Sequence, residues 1–128
     1  MSRIVLDASA VLAVINREPG SEKLTPALLS EAVASTVNLA EVHSKLVSRG
    51  WTSGEAWEDA SSPLRDVAPF DQEQARIVGD LVPQTESLGL SLGDCACLAL
   101  GIVLNAPVYT ADKSWKKLKL GLAIHVIH

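Results

Sequence analysis

Apolar positions in this chain fall into short unbroken runs separated by longer stretches in which they recur every three or four residues. Ile4-Val5-Leu6 predicts a short buried strand, and helix-forming residues follow over 8–16 until Glu18-Pro19-Gly20 stops them. Residues 22–31 predict a second helix and 34–37 a second strand. Leu39, Val42, Leu46 and Val47 repeat at helical spacing, which predicts a helix over 39–49 ended by Gly50. Thr52-Ser53-Gly54-Glu55 has the form of a capping box and opens a helix to about residue 60. A third strand over 66–69, a helix capped by Asp71 and running to about 82, a strand at 107–110, a helical turn or two over 113–118 and a last strand at 123–127 complete the reading. Short oily strands alternating with helices predict an α/β fold with a mostly parallel central sheet.

One helix breaks the usual pattern. "GLSLGDCACLALGIVLN", residues 89–105, is small and oily with a single charge, Asp94. An unpaired buried carboxylate is expensive, so Asp94 must be exposed, hydrogen-bonded or beside a cation. Asp94 has three counterparts. Asp7 directly follows the first strand, Asp112 follows the strand at 107–110, and Glu41 is expected in the first turn of the helix after the second strand. Parallel sheets bind ligands beyond the carboxyl ends of their strands, so these acids are expected along one edge. Each has a simpler reading as a cap. Asn38-Leu39-Ala40-Glu41 and Ser91-Leu92-Gly93-Asp94 are close to capping boxes, and Asp7 and Asp112 are plausible N-caps. Capping does not call for a carboxylate at every position, however, since Ser or Thr would serve. Four carboxylates in one cleft would repel one another unless some protonate or a cation compensates them. An all-oxygen set without His or Cys suits Mg²⁺ or Mn²⁺. Such ions activate water and hold phosphate oxygens, and they offset the repulsion between an acidic cleft and a nucleic acid.

Composition narrows the class. The 128 residues predict one domain spanning 1–128. The net charge of −4 gives no global basic footprint, so nucleic-acid binding would rest on a local patch or a metal. Apolar runs are too short for a membrane span, and Asp7 interrupts any signal-peptide core, which predicts a cytoplasmic protein. Cys95 and Cys97, two positions apart, do not face each other on a helix and read as buried thiols. No GxSxG, P-loop or HExxH is present, which argues against a serine hydrolase, an NTPase or a zincin, and His43, His125 and His128 lack ligand spacing.

The stretches "IVLDASAVLAVINREPG", "STVNLAEVHSKL", "LSLGDCACLALGIVLNAPVYTAD" and "SWKKL" together resemble the PIN-domain ribonucleases, in particular the VapC-type toxins of toxin–antitoxin pairs. The resemblance covers almost the whole chain. It implies a three-layer α/β/α domain and an acidic metal site formed by Asp7, Glu41, Asp94 and Asp112. It also implies a Mg²⁺- or Mn²⁺-dependent endoribonuclease, inhibited by a cognate VapB-like antitoxin and commonly a homodimer. The chain departs from many relatives at Cys95, where a basic or polar residue is common and the resemblance implies a contact with substrate.

Ser9 and Thr110, each two positions from a site acid, are candidates to hydrogen-bond the carboxylates, with a local turn as the alternative. Lys113, Lys116 and Lys117 belong to the densest basic run and are candidate RNA contacts, with a solvated face as the alternative. Trp115 reads as core, and Trp51 and Trp57 as packing residues flanking a helix start. Val11, Leu12, Val14 and Ile15, with Leu24, Leu28 and Leu29, are expected to leave an apolar groove near Asp7 for an antitoxin helix, or else to complete the core or a dimer interface. Two further functions stay open: a PIN-type nuclease of RNA maturation or turnover without an antitoxin, and a non-catalytic RNA- or protein-binding module. A phosphoacceptor domain would need adjacent acids after the first strand, a pattern that is not clear here.

Overall fold

The computed structural model describes residues 2–128; Met1, part of the N-terminal stretch read above, lies outside them. In chain order the elements are β1 (Ile4–Leu6), α1 (Ala8–Ile15), a 3₁₀ turn (Ser21–Lys23), α2 (Pro26–Leu29), β2 (Ala32–Ser35), α3 (Thr36–Ser48), α4 (Ser53–Ser61), β3 (Asp66–Ala68), α5 (Gln72–Asp80), α6 (Val82–Thr85), a 3₁₀ turn (Glu86–Leu88), α7 (Leu92–Leu104), β4 (Val108–Thr110), a 3₁₀ helix (Lys113–Lys117) and β5 (Ile124–Val126). The strands form one sheet in the order β3-β2-β1-β4-β5, and every pairing is parallel.

The period of two along the short strands builds a core on each face of the sheet. Ile4, Leu6 and Ala32 join the residues of α1, α3 and α4 in one cluster. Val5, Val33 and Val108 join α7, Leu81 and Trp115 in the other. The architecture is therefore three layers, α/β/α. α7 packs on β1, β2 and β4 and against α3 and α5, which explains its small, oily composition. A Cβ at Gly101 would collide with the Val108 side chain, so the helix lies close against β4 there.

Several expected boundaries move. The helix expected over 22–31 is a 3₁₀ turn followed by the single turn α2, because Thr25 caps a new start with Pro26 behind it. β2 ends at Ser35, which caps α3 through the Val37 amide, so Thr36 and Val37 are helical rather than extended. Glu41 consequently sits in the second turn of α3, not the first. The helix expected to reach residue 82 stops at Asp80 and restarts as α6. Trp115 is fully buried and Trp51 packs on the core, but Trp57 is 52% exposed, in a T-shaped contact with His43 at 5.4 Å between ring centroids.

Candidate active site

The sheet reverses its winding between β1 and β4, which lie side by side. The crevice at such a switch point is where open parallel sheets bind ligands. Asp7 and Thr110 stand at the carboxyl ends of these two strands. The Asp7 amide extends the ladder by donating to the Tyr109 carbonyl at 3.2 Å. The Asp7 carboxylate is buried and takes hydrogen bonds from the Ala10 amide (2.8 Å), the Ser9 hydroxyl (2.8 Å) and the Thr110 hydroxyl (2.6 Å). It is thus the N-cap of α1, as the simpler reading held, and also the floor of a cleft. Burial pushes its pKa up to about 6, the three donors oppose the rise, and Asp94 adds a small rise. Ser9 and Thr110 do contact a site carboxylate. Both also bond to the turn that carries Asp112: Ser9 accepts from the Ala111 amide and Thr110 from the Asp112 amide.

Glu41 comes from α3. Its carboxylate accepts from the Asn38 amide nitrogen at 2.9 Å, and the same nitrogen donates to the Gly93 carbonyl on α7 at 3.0 Å. Asn38 is 1% exposed and its Oδ1 has no partner among the described residues. The reverse amide orientation would set that oxygen against two acceptors, which fixes the NH₂ toward Glu41. The Asn38–Glu41 bond joins two side chains, so the capping box expected there does not form; Ser35 is the cap. A Cβ on Gly93 would fall on the Glu41 carboxylate. Gly93 therefore makes the space that Glu41 occupies.

Asp94 forms a complete capping box with Ser91, the Ser91 amide donating to its carboxylate at 2.9 Å. Replacing Asp94 by Asn removes a charge-assisted bond and a carboxylate from a helix N-terminus. It is expected to cost about 1 kcal/mol in a thermal melt without divalent metal. Equal melting of variant and wild type would mean the box contributes nothing. Asp112 caps the 3₁₀ helix through the Ser114 amide at 2.9 Å and is exposed. Each acid but Glu41 is thus a cap, and all four line one cleft of about 340 Å³.

The structure brings Lys45 and Arg49 into that cleft, with Asn16 and Glu18, none of which the sequence reading assigned to the site. Their signal was present: positions 41, 45 and 49 share one helix face. Lys113, Lys116 and Lys117 are exposed but do not line the cleft. Cys95 is buried, its thiol is pushed up by burial with the Thr85 side chain opposing the rise, and it does not line the cleft. Cys95 and Cys97 are both free thiols. Of the residues expected to leave a groove near Asp7, Val11, Leu12 and Leu24 are buried in the core, while Val14, Ile15, Leu28 and Leu29 are half-buried against it.

Among the described residues no three His, Cys, Asp or Glu side chains stand together as a ready metal cage. The carboxylates of the cleft, with no His or Cys beside them, fit Mg²⁺ or Mn²⁺ in chemistry, and the space at Gly93 lets the Glu41 carboxylate reach the cleft. Closing the carboxylates on an ion requires side-chain rotation.

The sequence matches the PIN domain family model over residues 4–120, which includes every residue of the cleft. The chain belongs to the PIN domain family. Solved structures share the PIN fold at low identity. VapBC2 from Rickettsia felis, bound to a DNA fragment from its promoter, has a TM-score of 0.75 at 21% identity, covering 98% of both chains. DNA-bound VapBC from Salmonella typhimurium has a TM-score of 0.77 at 16% identity over 100% of both chains. Mycobacterium tuberculosis VapC20, a toxin that cleaves the sarcin–ricin loop, has a TM-score of 0.73 at 17% identity, covering 88% of this chain and 92% of its own. No curated protein matches the chain. Among the described residues no helix of this PIN domain is long and apolar enough to cross a membrane.

Proposed function

We propose that this PIN domain is a Mg²⁺- or Mn²⁺-dependent endoribonuclease that acts in the cytoplasm as the toxin of a VapBC-type pair. The observation that carries the reading is the convergence of Asp7, Glu41, Asp94 and Asp112 on one cleft at the switch point of a parallel sheet. Membership of the PIN family and the fold shared with VapBC toxins support it. These four acids are the groups that would hold the ion. A divalent ion supplies Lewis-acid charge for the phosphate and an acidified water at neutral pH. Asp7 offers a carboxylate pre-oriented by Ser9, Thr110 and the Ala10 amide, so little side-chain freedom is lost on binding. Asn38 holds Glu41 toward the same space. Hydrolysis by water should leave 5′-phosphate and 3′-hydroxyl ends.

A VapB-like antitoxin and a second copy of the chain are the proposed partners. Among the described residues, Val47, Trp57, Val82, Leu92 and Val103 are the large apolar side chains left exposed. A partner would find its apolar surface there, not at the buried Leu24. The test is inducible expression in a host without an antitoxin, beside Asp7→Asn, with mapping of new RNA 5′ ends. Growth arrest and new 5′-phosphate ends with the wild type alone are expected. Identical behaviour of the two chains would favour a non-catalytic binding module.

Metal removal gives a second expected outcome. Excess EDTA should abolish cleavage by the purified chain and Mg²⁺ or Mn²⁺ should restore it, while Mg²⁺ raises the wild-type melting temperature by mass action. Full activity in EDTA would sink the metal-dependent reading.

A further inference from the structure

We propose that Lys45 and Arg49 form a phosphate-binding rim on the acidic cleft, holding the backbone of the RNA strand beside the bond that is cut. This deepens the nuclease reading and rests on it. The cleft is lined by five carboxylates, those of Asp7, Glu18, Glu41, Asp94 and Asp112, and by two cations, Lys45 and Arg49. If the two cations were there to neutralise the acids, they would pair with them. Among the described residues neither side chain makes an ion pair or a hydrogen bond. Both are exposed.

Their placement is set by one rigid element. Glu41, Lys45 and Arg49 follow one another at intervals of four along α3, so each step rises about 6 Å on the same face. Arg49 is the C-cap, its amide bonded back to the carbonyls of Lys45, Leu46 and Val47. The negative end of the helix explains basic residues in a last turn. It does not explain why both lie on the Glu41 face, since the dipole has no preferred side. An acidic cleft repels a polyanion, and cations on its rim reverse that field where the strand enters. The Arg fork pairs bidentately with a phosphate and Lys acts as a point charge, and neither reads base identity.

The test uses the full chain with Lys45→Gln, Arg49→Gln, the double variant and Arg49→Lys, against a single-stranded RNA that the wild type cleaves. Arg76→Gln, a residue of α5 with Asp80 at 4.0 Å, is the control. KM should rise roughly fivefold to tenfold for each single variant, with kcat within about twofold. The slope of log affinity against log salt should fall by about 0.7 for each Gln variant and about 1.4 for the double variant, and Arg49→Lys should keep most of it. The Mg²⁺-induced rise in melting temperature should be unchanged in all variants, which separates phosphate contact from damage to the acids. A wild type that cleaves while the variants keep its KM and salt slope overturns this proposal alone. A fall in kcat at constant KM overturns it too. A wild type that neither binds nor cleaves RNA overturns the nuclease reading and this proposal with it.

Discussion

Asp7→Asn is expected to abolish RNA cleavage while making the metal-free protein more stable at neutral pH. The loss should be at least about a thousandfold, equivalent to about 4 kcal/mol of transition-state stabilisation, because this carboxylate is the one pre-oriented at the floor of the cleft. The gain in stability follows from linkage. Burial raises the Asp7 pKa from 3.8 in a free chain to about 6 in the fold. The folded state therefore holds this proton more tightly than the unfolded state. The contribution of Asp7 to stability is greatest below about pH 4, falls as pH rises to about 6, and is flat above that. A shift of this size corresponds to about 3 kcal/mol. The Asn variant lacks this fall. In melts without divalent metal it should exceed the wild type by several degrees near pH 7.5 and by little or nothing near pH 4. Added Mg²⁺ should then raise the wild type more than the variant. Parallel pH profiles for the two chains would mean that Asp7 is not ionised at a cost in the fold.

Gly93→Ala is the second large effect, and it separates folding from activity. Alanine is the better helix former, and Gly93 is the second residue of α7, in its first turn. The new Cβ would fall on the end of a flexible side chain, the Glu41 carboxylate, and not on backbone. The fold can accept it by rotating Glu41 away, which breaks the bond from Asn38. Circular dichroism should show a native spectrum and a melting temperature at or near that of the wild type. RNA cleavage should fall about a hundredfold, of the order expected when a group at the reacting centre is misplaced by about 1 Å. A further substitution of Glu41 by Asp, shorter by one methylene, should recover part of the loss. A variant with full activity would show that Glu41 does not act from the place the structure gives it.

The α/β alternation was legible from the chain because a three-residue strand such as Ile4-Val5-Leu6, buried on both faces, has to be an unbroken apolar run, while the helices bury one stripe. The acids at the strand ends were legible for the same reason: a lone charge at the end of an oily run stands out. Local hydrogen bonding set what the sequence could decide about caps, and Ser91 with Asp94 reads as a capping box before and after folding. Position 41 was less clear, since the competing Ser35 cap starts α3 earlier and moves Glu41 into its second turn. Tertiary structure alone decided the rest. Asn38 and Gly93 are 55 residues apart and meet only because α3 and α7 pack together, so no local pattern joins them to Glu41. Leu24 went into the core and Leu28 and Leu29 only half into it, because apolar residues show that a surface is to be buried but not against what. Lys45 and Arg49, ordinary surface cations by composition, became cleft residues once the strand order put the face of α3 beside the carboxyl ends of β1 and β4. Spacing along a chain fixes which residues share a face, and long-range packing, which no local interaction encodes, fixes what that face meets.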